Sequence, residues 1–324
     1  MVDLDTLHAA LPHCLADTDL PGLGTKYEGK VRDNYTTADG RRFIVVTDRI
    51  SAFDRVLGTV PFKGQILNRL AAWWFARTKS VAPNHVLGVP DPNVLECVEC
   101  KPLLVEMVVR AYATGTTSTS LWTHYERGER VFCGHVLPDG LKKHQKLPAP
   151  ILTPTTKAPK GEHDVSGSRE EILATRQVTA ADFDEAANVA MKLFAAGQSI
   201  CAERGLILVD TKYEFGRTKD GTLVVIDEIH TPDSSRFWKS ATYAERFRAG
   251  LDPEPLDKDF VRRWYLEQGY RGEGVPPTMP DAIRIGASER YAAAYEQITG
   301  EAFVPNTEPP LERMRKNLGS GSRR

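Results

Sequence analysis

Polar and apolar positions alternate through the first third of the chain and recur at helical spacing further on. Tyr27 to Thr36, the Asp39-Gly40 pair and Arg42 to Thr47 predict a hairpin with a tight turn, and Val56 to Phe62 predicts a further strand. Ile66, Leu67, Leu70, Trp73 and Trp74 share one face of a helix over 65–78. Leu103 to Tyr112 reads as a buried strand, followed by a helix around Ser120 to Arg127. Residues 137–168, rich in Pro, Thr, Lys, Gly and His, read as a long functional loop. The clearest helix starts at Thr179 as N-cap, with Asp182 three residues on, and stops at Gly205. Phe183, Ala187, Ala190, Leu193, Phe194 and Cys201 form its expected buried stripe. Helices near 257–268 and 287–299 and a frayed tail over 319–324 complete the pattern, without internal repeats.

Leu206 to His230 is the most informative stretch. As a strand, Leu206 to Phe215 sends Ile207, Val209, Thr211, Tyr213 and Phe215 to one face, and Leu208, Asp210, Lys212 and Glu214 to the other. Asp220-Gly221 supplies a turn, and Leu223 to Ile229 returns. With Asp220 and Gly221 as the central turn residues, Glu214 falls opposite Asp227. Two opposed carboxylates repel unless neutralised. A shared divalent cation does this, and Mg²⁺ suits, since it takes one or two protein carboxylates plus substrate phosphates. Alternating charge also occurs on solvent-facing hairpin edges; here the opposite face and the returning strand are apolar, which favours an internal hairpin.

Three further segments carry candidate chemistry. The loop His230 to Trp238 joins a Pro-Asp turn, two hydroxyls and Arg236, a composition that suits an anionic substrate or a capped turn with a surface ion pair. Tyr27 to Asp33 places Lys30 and Arg32 on one strand face beside Gly29, which permits the close backbone approach of a flap over a triphosphate; it is not a Walker A loop. Arg110 leaves an apolar strand just before a Thr/Gly turn, poised to fork a carboxylate or phosphate, or else to pair with Glu106 on the same face.

Composition narrows the class. The 324 residues suffice for two domains of about 150 each. With 41% hydrophobic and 26% charged residues, the chain is an ordinary globular one. A formal net charge of -1 provides no global field for nucleic acid or an anionic membrane. The N-terminus is acidic and no apolar run approaches the ~18 residues of a membrane span, since Leu103 to Val109 is interrupted by Glu106. Five cysteines, an odd number, with Cys97 and Cys100 as a lone CxxC, suggest reduced thiols in the cytoplasm.

Together, GKVRD (29–33), TDRISAFD (47–54), KGQILNRL (63–70), VVRAYATG (108–115), LTPTTKA (152–158), GEHD (161–164), VDTKYEFG (209–216) and DEIHTPDSSRFW (227–238) resemble, in order, the phosphoribosylaminoimidazole-succinocarboxamide synthase (SAICAR synthetase) family. The resemblance runs from about residue 20 to 305. It implies an α+β, ATP-grasp-like, two-lobed fold, with a small β-rich lobe (1–101) over a larger α+β lobe (102–324). It also implies a ligase of purine biosynthesis, which uses ATP with Mg²⁺ to join L-aspartate to carboxylated aminoimidazole ribotide (CAIR), through an acyl phosphate. Such an enzyme acts on small molecules, not nucleic acid or membrane, as a monomer or homo-oligomer.

The same resemblance implies residue roles. Glu214 and Asp227 carry the metal. Gly29, Lys30, Val31, Arg32 and Glu106 join them around ATP, and the segment before Leu103 holds adenine. Arg110, Thr116, Asp210, Lys212, Asp233, Ser235, Arg236 and Arg262 surround the second substrate. Lys157 and Asp164 approach the transferring phosphate or the aspartate, and Lys212, Asp210 and Lys157 are the catalytic candidates. Lys258 lies at a helix start beside Arg262. Thr116 stands where many members have Ser, and Val165-Ser166 where Glu-Asn is frequent. A kinase-like phosphotransferase is the rival of similar chemistry, but HRD and DFG patterns are missing from the chain. An inactive nucleotide-binding module requires a broken carboxylate pair, and both members are intact.

Overall fold

Alternating apolar residues near the N-terminus build a sheet whose first hairpin tip, residues 29–32, reaches the site. The structure, a computed structural model, describes residues 2–53, 55–157, 164–256 and 259–319. The Gly161-Glu162-His163 part of the central loop, Lys258 and the tail over 320–324 lie outside the described residues. A short helix α1 (Leu4–Ala10) precedes β1 (Thr25–Glu28), β2 (Arg32–Thr36) and β3 (Arg41–Val46). Then come β4 (Arg49–Ala52), β5 (Arg55–Thr59), α2 (Lys63–Arg77), β6 (Val86–Asp91) and β7 (Val94–Val98). One sheet has the order β1-β2-β3-β7-β6, and β4 pairs with β5 separately.

Tyr27 to Thr36 is thus not one strand. β1 and β2 form a hairpin with Glu28 opposite Asp33, and the Gly29 N–H donates to the Arg32 carbonyl at 2.8 Å across its tip. The expected β2–β3 hairpin forms as read, with Thr36 opposite Arg42.

Helix α2 begins two residues before its predicted start because Lys63 and Gly64 are packed under the sheet. Gly64 N–H donates to Asp48 Oδ1 at 2.8 Å. A Cβ at Gly64 would fall 2.3 Å from the Val46 carbonyl oxygen, which is main chain, and 2.4 Å from Asn93 Nδ2, which is buried and held to that carbonyl at 2.8 Å. Gly64→Ala is therefore expected to destabilise the protein by about 1–3 kcal/mol. A lowered urea midpoint with an unchanged slope is the expected reading; an unchanged midpoint would contradict this packing.

The second sheet carries the chemistry. It uses β8 (Lys101–Tyr112), β11 (Lys146–Leu152), β12 (Thr155–Thr156), β13 (Leu206–Arg217), β14 (Leu223–Ile226) and β15 (Ser235–Lys239). Around it lie α3 (Leu121–Glu126), the β9 (Val131–Phe132) and β10 (His135–Val136) ribbon, α4 (Arg169–Ala174), α5 (Ala180–Glu203), α6 (Ser240–Arg248), α7 (Asp259–Glu267), α8 (Asp281–Thr299) and α9 (Pro310–Gly319). β13 is central: β8 pairs along one edge, while β15 and β14 share the other. β15 takes Leu206 to Thr211 and β14 takes Glu214 to Arg217, so their connection leaves the sheet beside Lys212 and Tyr213. The hairpin is internal, as the apolar faces predict.

Its register differs from the expected one. Glu214 faces Ile226, not Asp227. The loop has three residues, Lys219-Asp220-Gly221, with Gly221 at φ +86° donating its N–H to the Thr218 carbonyl at 3.0 Å. Asp-Gly serves this type of loop as readily as a two-residue turn. Asp227 therefore lies just past the strand end, itself left-handed at φ +67°.

The described part of 137–168 contains strands where the sequence predicts a long loop. β11 and β12 extend the sheet along β8, and Pro148 and Pro150 are tolerated because β11 is an edge strand. Helix α5 follows its signals: Thr179 Oγ1 accepts the Asp182 N–H at 3.1 Å, and the helix stops before Gly205 at φ +70°. Ala186 and Gly197 join its buried stripe, whereas Ala187 is half-buried. A continuous apolar core runs from Ile44 and Trp74 to Met107, Phe194 and Phe237. Cys97 and Cys100 are buried and all five cysteines are free. Among the described residues, no helix is long and apolar enough to cross a membrane.

Candidate active site

The antiparallel register of β8 and β13 sets Glu106 directly opposite Glu214. Lys212, two residues from Glu214 on the same face, resolves their repulsion. Its Nζ lies 2.8 Å from Glu106 Oε1 and 2.9 Å from Glu214 Oε1. Lys157, following β12, pairs with Glu214 Oε2. Burial pushes the Glu214 carboxyl up, but the two lysines outweigh it and hold the group well below the usual carboxylate range. Glu106 moves the other way: burial and the Glu214 charge raise it against the pull of Lys212. Lys212 is held well above its ordinary value, since Glu214, Glu106 and Asp227 outweigh its burial. Asp164 is exposed, and its charge also raises Glu106.

Arg32 of β2 reaches across from the first sheet. Its Nη1 donates to both Asp227 oxygens at 2.8 Å, and Nη2 lies 2.5 Å from Glu228 Oε1. Burial raises Asp227, opposed by Arg32 and assisted by Glu214 and Glu228. The result is a cleft of about 550 Å³ between the sheets, with Lys30, Arg32, Lys157, Lys212, Glu214 and Asp227 on its charged walls. Val98, Cys100 and Pro102, from the segment before Leu103, line it too. Among the described residues, no group of three or more His, Cys, Asp or Glu could enclose a metal. Two carboxylates in one cleft nevertheless fit Mg²⁺, whose remaining ligands are water and phosphate.

A second cavity of about 350 Å³ adjoins the first through Lys212, which lines both. Arg110, Asp210, Asp233, Ser235, Arg236 and Arg262 contribute to its walls. Arg110 does not pair with Glu106. The register puts it opposite Asp210, whose Oδ2 lies 3.4 Å from Nη1, while Nε donates to Thr153 Oγ1 at 2.9 Å. Arg236 binds the same Asp210 oxygen. One carboxylate thus orients two guanidinium groups. The Ser235 hydroxyl is engaged with that of Thr211 at 2.7 Å. Arg262 pairs with Asp259 at 3.2 Å. Thr116 lies apart from this cavity, in a neighbouring one of about 230 Å³ that Arg236 and Arg262 also line.

Lys63 and Tyr291, which support this site from behind, are among the residues that escaped the sequence reading. Lys63, 0% exposed at the start of α2, lies 2.8 Å from Asp233 Oδ2, and Tyr291 of α8 donates its hydroxyl to Asp233 Oδ1 at 2.7 Å. They anchor the Thr231–Ser235 turn, in which Ser234 and Ser235 both donate N–H to the Thr231 carbonyl. A lysine opening an apolar helix leaves no pattern that points to a partner 170 residues away. Lys63→Met strands a buried carboxylate and is expected to cost about 3–5 kcal/mol. Adding Asp233→Asn should recover much of it in a denaturant titration; no recovery would mean that Lys63 stabilises through other contacts.

A family model described as SAICAR synthetase matches residues 25–277. Phosphoribosylaminoimidazole-succinocarboxamide synthase of Legionella pneumophila (strain Paris) is 50% identical over 301 residues, 92% of this chain and 95% of the relative. The chloroplastic phosphoribosylaminoimidazole-succinocarboxamide synthase of Arabidopsis thaliana is 48% identical, over 97% of this chain and 77% of its own. Among solved structures, SAICAR-synthase from Saccharomyces cerevisiae complexed with SAICAR superposes with a TM-score of 0.77 at 30% identity, covering 90% of this chain and 100% of that one. The fold is also that of a SAICAR synthetase in complex with ADP, with a TM-score of 0.66 at 24% identity over 87% of this chain and 100% of that one.

Proposed function

The chain belongs to the SAICAR synthetase family, and we propose that it uses ATP to join the amine of L-aspartate to the carboxylate of CAIR, giving SAICAR, ADP and phosphate. The carrying observation is Lys212, shared by two adjoining cavities. One offers the cations and carboxylates of a nucleotide–metal site; the other has the guanidinium groups that suit a phosphate or carboxylate on a small substrate. ATP occupies the first, with the β-rich region 1–101 covering its phosphates and the segment before Leu103 against adenine. CAIR occupies the second, at Arg110, Arg236 and Arg262, with Thr116 and Ser235 at its edges and region 102–324 supplying its walls.

The reacting groups then meet at Lys212. A CAIR carboxylate oxygen attacks the γ-phosphorus, the bond to the ADP oxygen breaks, and an acyl phosphate forms. The aspartate nitrogen attacks its carbonyl carbon, losing a proton, and the carbon–oxygen bond to phosphate breaks. Lys212 and Lys157 neutralise charge on the transferring group, which is where such transfers gain most of their rate. Asp210 fixes both guanidinium groups, and Asp164 approaches from the loop with Lys157. Glu214 and Asp227 would hold Mg²⁺, which supplies charge neutralisation at the phosphates when bound.

Incubation of ¹⁸O-carboxylate CAIR with ATP and aspartate tests the route. Label in the released phosphate, together with a succinocarboxamide product by mass spectrometry, is the expected result. Product without labelled phosphate would overturn the acyl phosphate, and no product would overturn the assignment itself.

A further inference from the structure

Thr47 and Arg49, in the TDRISAFD segment, line neither cavity, yet they hold the backbone that does. Arg49 Nη2–H donates to the Gly29 carbonyl at 3.0 Å and Nε–H to the Lys30 carbonyl at 3.0 Å. The Val31 carbonyl accepts from Thr47 twice, from Oγ1–H at 2.8 Å and from N–H at 3.1 Å. Three consecutive carbonyls are thus captured by one short segment.

Arg49 is itself fixed. Nη2 donates to Asp33 Oδ1 at 2.7 Å and Nη1 to the Ala16 carbonyl at 2.6 Å. Asp33, 0% exposed, is tied in turn to the Thr18 hydroxyl at 2.6 Å and to Lys26 at 3.2 Å. A guanidinium with this many acceptors in fixed directions cannot rotate away from the loop.

The consequence follows from peptide geometry. In a trans peptide the carbonyl of one residue and the N–H of the next point in opposite directions, and there are no cis peptides among the described residues. Turning the carbonyls of Gly29, Lys30 and Val31 toward Thr47 and Arg49 turns the N–H groups of Lys30, Val31 and Arg32 away from them. Residues 29–32 line the 550 Å³ cleft and Thr47 and Arg49 do not. Successive N–H groups directed to one side form an anion-binding concavity.

We infer that Thr47 and Arg49 are positioning residues: they set the 29–32 backbone so that its amides meet the phosphates of the nucleotide. The inference rests on the nucleotide assignment of this cleft. It gives the TDR motif a role that acts through the loop and touches no substrate.

The test pairs Arg49→Lys, which keeps the charge beside Asp33 but loses the planar fork, with Thr47→Val, which keeps the shape and loses the hydroxyl donor. Steady-state kinetics and calorimetric titration with Mg-ADP are run on both variants and on wild type, with thermal unfolding as the folding control. Arg49→Lys is expected to raise KM for ATP about tenfold or more and to weaken ADP binding in parallel, leaving KM for CAIR and aspartate unchanged. Thr47→Val is expected to do the same more weakly. A folded Arg49→Lys with wild-type ADP affinity would overturn the inference, as would equal rises in all three KM values. ADP affinity is read without turnover, so wild type that binds ADP but forms no product overturns the proposed function, while the Arg49→Lys comparison still decides this inference.

Discussion

Glu214→Gln lowers turnover by at least about a hundredfold while the protein stays folded, and Asp227→Asn does the same. The two variants remove one negative charge each and almost no volume. Lys212 keeps Glu106 at 2.8 Å when Glu214 is neutralised, and Arg32 keeps Glu228 at 2.5 Å when Asp227 is. Lys157 loses its carboxylate in Glu214→Gln, but its side chain is 37% exposed and stays hydrated, so the structural cost stays small beside the catalytic one. The loss arises because a neutral amide no longer helps to hold Mg²⁺ at the phosphates. Kinetics at saturating Mg²⁺ and thermal unfolding check both halves. Near-wild-type turnover in either variant would mean that its carboxylate does not serve the metal.

Lys212→Met carries the second large effect, and it strikes activity and stability together. Turnover is expected to fall at least about a hundredfold, because the cation shared by both cavities is gone. Stability falls because Glu106 and Glu214 then face each other with only Lys157 left beside Glu214. The pH dependence has a definite sign. Burial and the Glu214 charge already raise Glu106, and removing Lys212 raises it further. A carboxyl raised in the folded state binds its proton more tightly there than in the unfolded chain, so lowering the pH favours folding. The deficit of Lys212→Met relative to wild type should thus be greatest above the raised Glu106 value and shrink as pH falls through it. A deficit independent of pH, or turnover within a few-fold of wild type, would contradict the bridging role.

The sequence made the site's strand legible because the period-two pattern of β13 has charge on one face and apolar groups on the other. It placed Asp210, Lys212 and Glu214 together, and the structure brings them to the two adjoining cavities. It did not reveal that Glu106 is Glu214's cross-strand neighbour. That depends on which strand pairs with β13 on its far edge, a long-range choice that local periodicity does not encode. The hairpin register slipped by one residue because Asp220-Gly221 suits both a two-residue and a three-residue loop. The split of Tyr27 to Thr36 into β1 and β2 was hidden because a lone glycine within alternating residues also occurs inside strands, at bulges and close backbone approaches.

The KGQ and TDR segments carried specific family likeness but no chemical pattern. Their charged groups act inside the fold, Lys63 on Asp233 and Arg49 on main-chain carbonyls. Buried ions of this kind become visible only once their partners, distant in sequence, are brought beside them.

The central claim is that this chain couples ATP cleavage to amide formation between CAIR and L-aspartate. ADP release from Mg-ATP, measured with each of the two other substrates omitted in turn, tests it most directly. The account predicts release that requires both, with a succinocarboxamide formed in step. Release with CAIR alone would contradict the choice of aspartate as the amine, and no release under any combination would contradict the ligase assignment.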